Sequence, residues 1–265
     1  MADLTRLDLS GRAYVVTGPA KGMGRDISLA MAAAGADLIM AGRDTSAIET
    51  VAEEVRAVSR RAVVLSCDIT DDTAVEAMVA AGVRDLGRID GLVNIAGTTG
   101  PSGKMLWEHT VDDYRDVFDV NVLGSVLAMR HVMPRLIARG SGSVVNIGGT
   151  FGFKGVRQAS LYGATKWALR GITKSAALEA GAAGVRVNMV SPGGVDGPRL
   201  TRQLGESAAR EGIAPEEAYA RFAKTSALNR MSTADDVAGA VLFLLSDLSR
   251  NITGQDLLVD GGTIV

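Results

Sequence analysis

Short apolar runs alternate with longer stretches of helical periodicity from one end of the chain to the other. Ala13–Thr17, Asp37–Ala41, Ala62–Ser66, Gly91–Asn94, Ser143–Ile147, Arg186–Val190 and Asp256–Val259 read as strands. Helical patterns separate them, over about Arg25–Ala34, Ser46–Val58, Asp72–Leu86, Asp112–Ala138, Leu161–Ala180 and Thr233–Leu245. The strands are apolar on both faces, as parallel strands covered by helices have to be. The alternation therefore predicts an α/β chain with a doubly wound, seven-stranded parallel sheet and helices on both faces. No composition break marks a linker, so residues 1–265 are expected to form a single domain. One stretch interrupts the alternation. Pro198–Lys224 is charge-rich and helical in pattern, and it separates two strands. An insertion at a strand's carboxyl end lies where such folds bind ligands, so residues 198–227 are expected to form a substrate-binding lid.

Composition removes several functions. A net charge of −2 leaves no broad basic field for nucleic acid or an anionic membrane. Cys67 is the only cysteine, which excludes an intramolecular disulfide and a thiolate metal cluster. His109 and His131 lack a ligand spacing and read as surface or packed histidines, with no metal. Met1–Arg12 has no apolar core of a secretory signal. No apolar run approaches the roughly 20 residues that span a bilayer. A cytoplasmic enzyme is the default expectation.

The first strand runs into Thr17-Gly18-Pro19-Ala20-Lys21-Gly22-Met23-Gly24 and then a helix. Glycines allow a tight turn and close approach to a pyrophosphate, and the helix N-terminus offers free N–H groups and a positive dipole end. The turn is therefore expected to be the dinucleotide site of a Rossmann-type domain, unless it is an ordinary glycine turn. In such sites an acid about 20 residues further on takes the ribose 2′-hydroxyl. Gly42 stands at that place here, followed by Arg43, with Asp44 close by. Arg43 can grip a 2′-phosphate, and Lys21 can add a second positive charge. The cofactor is accordingly expected to be NADP(H), with NAD(H) the less favoured choice, unless both cations are only solvated surface groups. Asp68, just past the third strand, could accept from an adenine amino group or cap the following helix.

Tyr162 and Lys166 lie four apart on a helical pattern and so share a face. A free phenol is a weak base near neutrality, and a neighbouring ammonium favours its ionised form. Such a phenol can take a proton from an alcohol or give one to a carbonyl. Of four tyrosines, only Tyr162 has a lysine four positions on.

Together these residues resemble the short-chain dehydrogenase/reductase family, nearly end to end. Thr17–Gly24 is similar to its TGxxxGxG turn, and Asp68 to its adenine-contacting Asp. Asn94-Ile95-Ala96-Gly97 resembles its NNAG motif, with Ile95 in place of the second Asn. Asn121 is similar to its catalytic Asn, and Tyr162-Gly163-Ala164-Thr165-Lys166 to YxxxK. Pro192-Gly193 resembles its PG motif, and Ile252–Gln255 and Val259–Gly262 its C-terminal segment.

The resemblance implies hydride transfer between nicotinamide C4 and a secondary alcohol or ketone. It implies that Tyr162 is the general acid/base, that Lys166 supports it and holds the nicotinamide ribose, and that Asn121 supports a water relay. It also implies a cofactor surface of Gly18, Lys21, Gly22, Met23, Gly24, Arg43, Asp68, Ile69, Asn94, Ala96, Gly97, Tyr162, Lys166, Pro192, Gly193 and Val195. A homotetramer is implied too. Ala164, Ala168 and Gly171 would permit close packing on the helix carrying Tyr162, or would serve the internal core.

Two positions depart from the pattern. Gly149 stands where the family has its catalytic Ser, 13 residues before the Tyr, and Gly197 replaces a Thr often found after the PG motif. Thr150 is the nearest hydroxyl that could replace the Ser. A water or the substrate's own second hydroxyl could serve instead, although a neighbour on an extended strand would face the other way. By analogy with the family, Lys104, Lys154, Arg157, Arg199 and Arg202 lie in segments that line the pocket. They suggest an anionic or strongly polar substrate, or else a solvated set of charges. Two rival readings remain: a cofactor-binding protein that lost catalysis with its Ser, and an epimerase or dehydratase that uses the cofactor transiently.

Overall fold

The computed structural model describes residues 7–101 and 103–265. Seven strands form one parallel sheet: β1 (Ala13–Thr17), β2 (Asp37–Gly42), β3 (Ala62–Ser66), β4 (Gly91–Asn94), β5 (Gly142–Ile147), β6 (Val185–Pro192) and β7 (Asp256–Val259). Their order across the sheet is β3-β2-β1-β4-β5-β6-β7. The chain first winds outward from β1 to β3, then returns to pair β4 with the other side of β1, with Val15 opposite both Ile39 and Leu92.

The helices are α1 (Met23–Ala33), α2 (Thr45–Ala57), α3 (Asp72–Leu86), α4 (Val111–Phe118), α5 (Gly124–Arg139), α6 (Ser160–Ala180), α7 (Pro198–Glu211), α8 (Pro215–Ala223) and α9 (Ala234–Leu245). They cover both faces. Successive β1 residues point to opposite sides, as the pleat requires. Tyr14 and Val16 join Ile27 and Met31 of α1, Val51 of α2 and Val241 of α9 in one core cluster. Ala13 and Val15 join Val79 of α3, Leu136 of α5 and Ala177 of α6 in the other. This is why the strands carry no polar face in the sequence. Among the described residues, no helix is long and apolar enough to cross a membrane.

Two features depart from the sequence pattern. The helix expected over Asp112–Ala138 is divided: α4 ends at Phe118, and a π-helical turn, Asp119–Leu123, leads into α5. The pattern of apolar residues is continuous across this turn, so periodicity alone does not reveal it. The interruption at Pro198–Lys224 holds α7 and α8, placed between β6 and β7.

At the amino ends of the strands, Asp90 is a buried anchor. Its carboxylate accepts from the Ala13 N–H at 2.8 Å and from Arg88 through two bonds of 2.8 Å, and it also pairs with Arg139. Its own N–H donates to the Ala13 carbonyl at 2.7 Å. The residue is 6% exposed, so losing the carboxylate leaves cations and an N–H without their acceptor. Asp90→Ala should destabilise the fold by about 2–3 kcal/mol, read from the urea unfolding midpoint. Glu49→Gln, which removes the exposed pair with Arg56, should cost no more than about 1 kcal/mol in the same measurement.

Candidate active site

Because β1 is followed on one side by β2 and on the other by β4, a crevice opens at their carboxyl ends. The glycine turn fills its floor. Gly18 has φ +72°, and a Cβ there would come within 2.8 Å of Ala96 Cα. A Cβ on Gly24 would lie 2.1 Å from the Gly18 carbonyl oxygen. Gly22, the N-cap of α1, differs. Its φ is +54°, nothing lies within 4 Å of a Cβ built on it, and no side chain caps the helix. The first-turn N–H groups of α1 therefore face open space, with the dipole's positive end behind them. That arrangement fits a pyrophosphate. Thr17 Oγ1 ties the turn to the end of β4, accepting from the N–H groups of Ile95 at 3.1 Å and Ala96 at 3.3 Å.

At the end of β2, Asp44 caps α2 and accepts from the Ala47 N–H at 3.1 Å. Its carboxylate is thus engaged in a helix cap. Arg43 and Lys21 are exposed, and among the described residues neither forms an ion pair. Asp68 is exposed at the end of β3. Its Oδ1 accepts from the Thr70 N–H at 3.0 Å and the Thr70 hydroxyl at 2.8 Å. These bonds, helped by the charge of Arg43, hold its carboxyl below the usual carboxylate range. The cap of α3 is Asp71, which accepts from the Ala74 N–H at 3.1 Å, so capping is not the task of Asp68.

Tyr162 and Lys166 lie on α6 beside the crevice. Lys166 is 7% exposed. Its Nζ donates to the Ile147 carbonyl at 3.0 Å and stands 5.3 Å from the Tyr162 ring centre. The Phe151 ring packs edge-on against Tyr162, with centres 5.6 Å apart. The Tyr162 hydroxyl makes no hydrogen bond to any described residue, and the ring borders an open cleft.

The cleft has a volume of about 430 Å³, within the range of small-molecule sites. Met23, Gly97, Thr150, Tyr162, Lys166, Pro192, Gly193 and Val195, all anticipated from the sequence, line it. Thr150 begins a 3-10 turn, Thr150–Gly152, rather than continuing β5. It is 6% exposed, and its hydroxyl has no protein partner among the described residues.

Other anticipated residues take different places. Asn94 faces the interior: its amide donates to Asn146 Oδ1 at 2.9 Å and to the Ser125 carbonyl at 3.4 Å. Its side chain therefore braces β4 against β5 and α5 and does not face the cleft. Ile69 is buried against Gly124, and Ala96 backs Gly18. Asn121 sits in the π-helical turn, 1% exposed. Its amide donates to the Thr98 carbonyl at 2.8 Å and to Thr165 Oγ1 at 3.1 Å, and its Oδ1 accepts from the Thr98 N–H at 2.8 Å. The side chain clamps the loop after β4 to α6, next to Lys166.

Of the five cations expected near a substrate, Lys154 and Arg199 line the cleft. Lys104 is engaged with Asp113 at 2.6 Å, Arg202 stands 3.8 Å from Glu206, and Arg157 is exposed away from the lining. His131 is hydrogen-bonded to Asp72 at 2.7 Å. Burial pushes the Cys67 thiol up to about 11, so it is an inert core group. Among the described residues, no three His, Cys, Asp or Glu side chains gather as a metal site.

The sequence reading missed several lining residues. Gln158 lies in the cleft wall with φ +61°, a left-handed conformation whose strain is held by its surroundings. His109, read as a packed or surface residue, also lines the cleft. The insertion contributes Leu200, Gln203, Phe222 and Thr225 besides Arg199.

Comparison with known proteins agrees with this geometry. A family model described as enoyl-(acyl carrier protein) reductase matches residues 18–263. Galactitol 2-dehydrogenase of Agrobacterium fabrum is 35% identical over 257 residues, covering 96% of this chain and 98% of that protein. Cis-4-hydroxycyclohexanecarboxylate dehydrogenase of Sinomonas cyclohexanicum is 32% identical, covering 95% and 96%. Among solved structures, an NAD⁺-bound xylitol dehydrogenase superposes with a TM-score of 0.90 at 30% identity, covering 96% of this chain and 99% of that one. A variant of actinorhodin polyketide ketoreductase with NADPH superposes with a TM-score of 0.89, also at 30% identity, covering 95% and 97%. With the glycine turn at the crevice and the Tyr162–Lys166 pair beside it, the chain belongs to the short-chain dehydrogenase/reductase family of oxidoreductases.

Proposed function

We propose that this enzyme is an NADP(H)-linked oxidoreductase of secondary alcohols and ketones, with Tyr162 as its general acid and base. The observation that carries the reading is Tyr162 at the cleft, its hydroxyl unbonded among the described residues, with the buried Lys166 ammonium beside its ring. A bound nicotinamide supplies the hydride acceptor for oxidation or the donor for reduction. Tyr162 takes the proton of the substrate hydroxyl in one direction and returns it to the carbonyl oxygen in the other. Lys166 gives one N–H to Ile147 and keeps two for a ribose. Asn121 holds Thr98 and Thr165 through its side chain, which leaves its carbonyl oxygen as the group for any water relay. That oxygen already accepts from the Ser125 hydroxyl at 3.0 Å. Tyr162→Phe should lower kcat by about 10² or more with cofactor affinity unchanged. Normal turnover in that variant would sink the assignment, and product formation without net change in nicotinamide absorbance would favour an epimerase or dehydratase.

The preference for NADP(H) rests on two exposed cations, Arg43 and Lys21, that form no ion pair among the described residues, and on Asp44 being engaged as a helix cap. An acid at position 42 would also crowd Ile48, whose Cδ1 lies 3.0 Å from a Cβ built there. The kcat/KM for NADP(H) should exceed that for NAD(H). Arg43→Ala should reduce it about tenfold, or 1.4 kcal/mol, while the NAD(H) value moves little. A wild-type enzyme that prefers NAD(H) overturns the reading.

Thr150 replaces the absent family Ser as donor to the substrate oxygen. The objection from strand alternation does not apply, because residues 150–152 form a 3-10 turn. Removing such a donor costs about 10²–10³ in rate at a fully used site. Thr150→Val keeps the shape and should cut kcat at least about tenfold. If it turns over normally, the donor is a water or the substrate's own second hydroxyl. A Cβ on Gly149 has only the Pro192 carbonyl within 4 Å, at 3.8 Å, while φ +159° there strains any side chain, so Gly149→Ser should then raise kcat at some cost in stability.

The two cations that line the cleft, Lys154 and Arg199, carry what remains of the reading that the substrate is anionic. α7 and α8 act as the lid over it. The outer face of α6 supports self-association: Ala164 and Gly171 are exposed rather than packed inside, beside Trp167 at 48% exposure. We infer the homotetramer from this face, and sedimentation at micromolar concentration tests it.

A further inference from the structure

His109 follows the short turn Leu106–Glu108 and precedes Thr110, the N-cap of α4. Its side chain is only 6% exposed, and among the described residues neither ring nitrogen has a hydrogen-bond partner. Yet His109 is among the residues that line the cleft onto which Tyr162 opens. Asp113 Oδ2 stands 3.5 Å from Nδ1, too far for an effective hydrogen bond. That carboxylate is already committed. It takes Lys104 Nζ at 2.6 Å and the Thr110 N–H at 2.9 Å, which hold its carboxyl at about 2. It is therefore a fixed anion at any working pH. It orients the imidazole, favouring hydrogen on the nitrogen that faces it, without satisfying the ring.

An unpartnered polar group closed off from water is unfavourable in the free protein. Both nitrogens are shielded, so the exposed part of the side chain is carbon. Presenting a nitrogen to a ligand therefore requires the ring to turn within its pocket.

We propose that His109 recognises a second oxygen on the substrate, a neutral hydroxyl or carbonyl remote from the carbon whose oxygen Tyr162 serves. The substrate class is then a secondary alcohol or ketone bearing a further hydroxyl or carbonyl group, and this rests on the oxidoreductase reading above. The Asp113 carboxylate beside this wall is paired with Lys104, so the pair presents no net charge and a neutral oxygen is the partner that fits it. Lys154 and Arg199, elsewhere in the cleft, can bond a hydroxyl as well as an anion.

The test compares cyclohexanol with the 1,2-, 1,3- and 1,4-cyclohexanediols, with NADP⁺ as oxidant. In the wild type, kcat/KM for the best diol should exceed that for cyclohexanol by about tenfold or more. In His109→Leu the ratio should collapse to within about threefold, with the loss in KM rather than kcat, and His109→Gln should restore part of it. A wild-type ratio near one overturns the proposal, as does a ratio that His109→Leu leaves unchanged. If His109→Leu does not fold, as judged by circular dichroism, the ratio in His109→Gln decides: no change from wild type overturns the proposal. Ligand-detected NMR on the enzyme–cofactor complex separates the two levels. Diol binding that weakens in the His109 variants, without turnover of any alcohol, would fail the oxidoreductase reading and leave the recognition role standing. Turnover with no diol preference would do the reverse.

Discussion

The backbone at the β1–α1 turn passes so close to itself and to β4 that side chains are excluded, and the rest of the site is arranged around that approach. A Cβ on Gly24 would sit 2.1 Å from the Gly18 oxygen, and one on Gly18 would meet Ala96. Thr17 then holds the following residues of β4 through two N–H bonds to a single hydroxyl. The turn brings the free N-terminus of α1 to the crevice that the strand order creates. Gly22 leaves open the space that a pyrophosphate requires. Packing at Gly18 and Gly24 and openness at Gly22 are two demands on one short loop, and glycine meets both for different reasons.

A second clamp sets the opposite wall. Asn121 bonds the loop after β4 at Thr98 and α6 at Thr165, and Thr165 Oγ1 in turn donates to the Tyr162 carbonyl at 2.7 Å. Lys166 is anchored separately, through Ile147 at the end of β5. Tyr162 and Lys166 are thereby held from two strand ends and one helical turn. The π-helical geometry at Asp119–Leu123 is what aims Asn121 into this position. A regular helix through the same residues would rotate it away.

How much of this the sequence discloses depends on which force dominates at each residue. The strands are legible because burial on both faces leaves a run of apolar residues, as in Val144 and Val145 or Leu38 and Ile39. The glycine turn and the Tyr162–Lys166 spacing are legible because backbone sterics and helix geometry are local. What is not legible depends on distant partners. The π-helical turn is stabilised by Thr98 and Thr165, far away in the chain, and leaves the apolar pattern unbroken. Asn94 resembles a cofactor ligand by motif, yet its amide is consumed by Asn146 across the sheet. The positive φ of Gln158 and the unpartnered ring of His109 have no signature in residue type or spacing. They arise from how loops of different origin meet at the cleft.

The segment after β5 shows how a departure from the family pattern can be compatible with a working cleft. A Cβ on Gly148 would meet Met189 Cε at 2.3 Å and Ser191 Oγ at 2.4 Å, so the chain leaves the sheet against a tightly packed neighbour. Ser191 accepts from the Gly149 N–H at 3.2 Å, which fixes the exit. One residue later the backbone enters the 3-10 turn. Phe151 then packs on Tyr162, and Gly152 lies against α6, where a Cβ would be 3.2 Å from the Lys166 carbonyl oxygen. The turn is therefore positioned by contacts on both sides of Thr150, and not by a side chain at 149. Loss of a hydroxyl at 149 removes a donor without loosening the wall that carries the next one. The hydroxyls of Thr150 and Tyr162, both cleft-lining residues, make no hydrogen bond to the described residues. A largely apolar cavity with a few unsatisfied polar groups spends little on internal hydrogen bonds and leaves their pairing to the ligand, which is the condition for orientation to depend on the substrate's own oxygens.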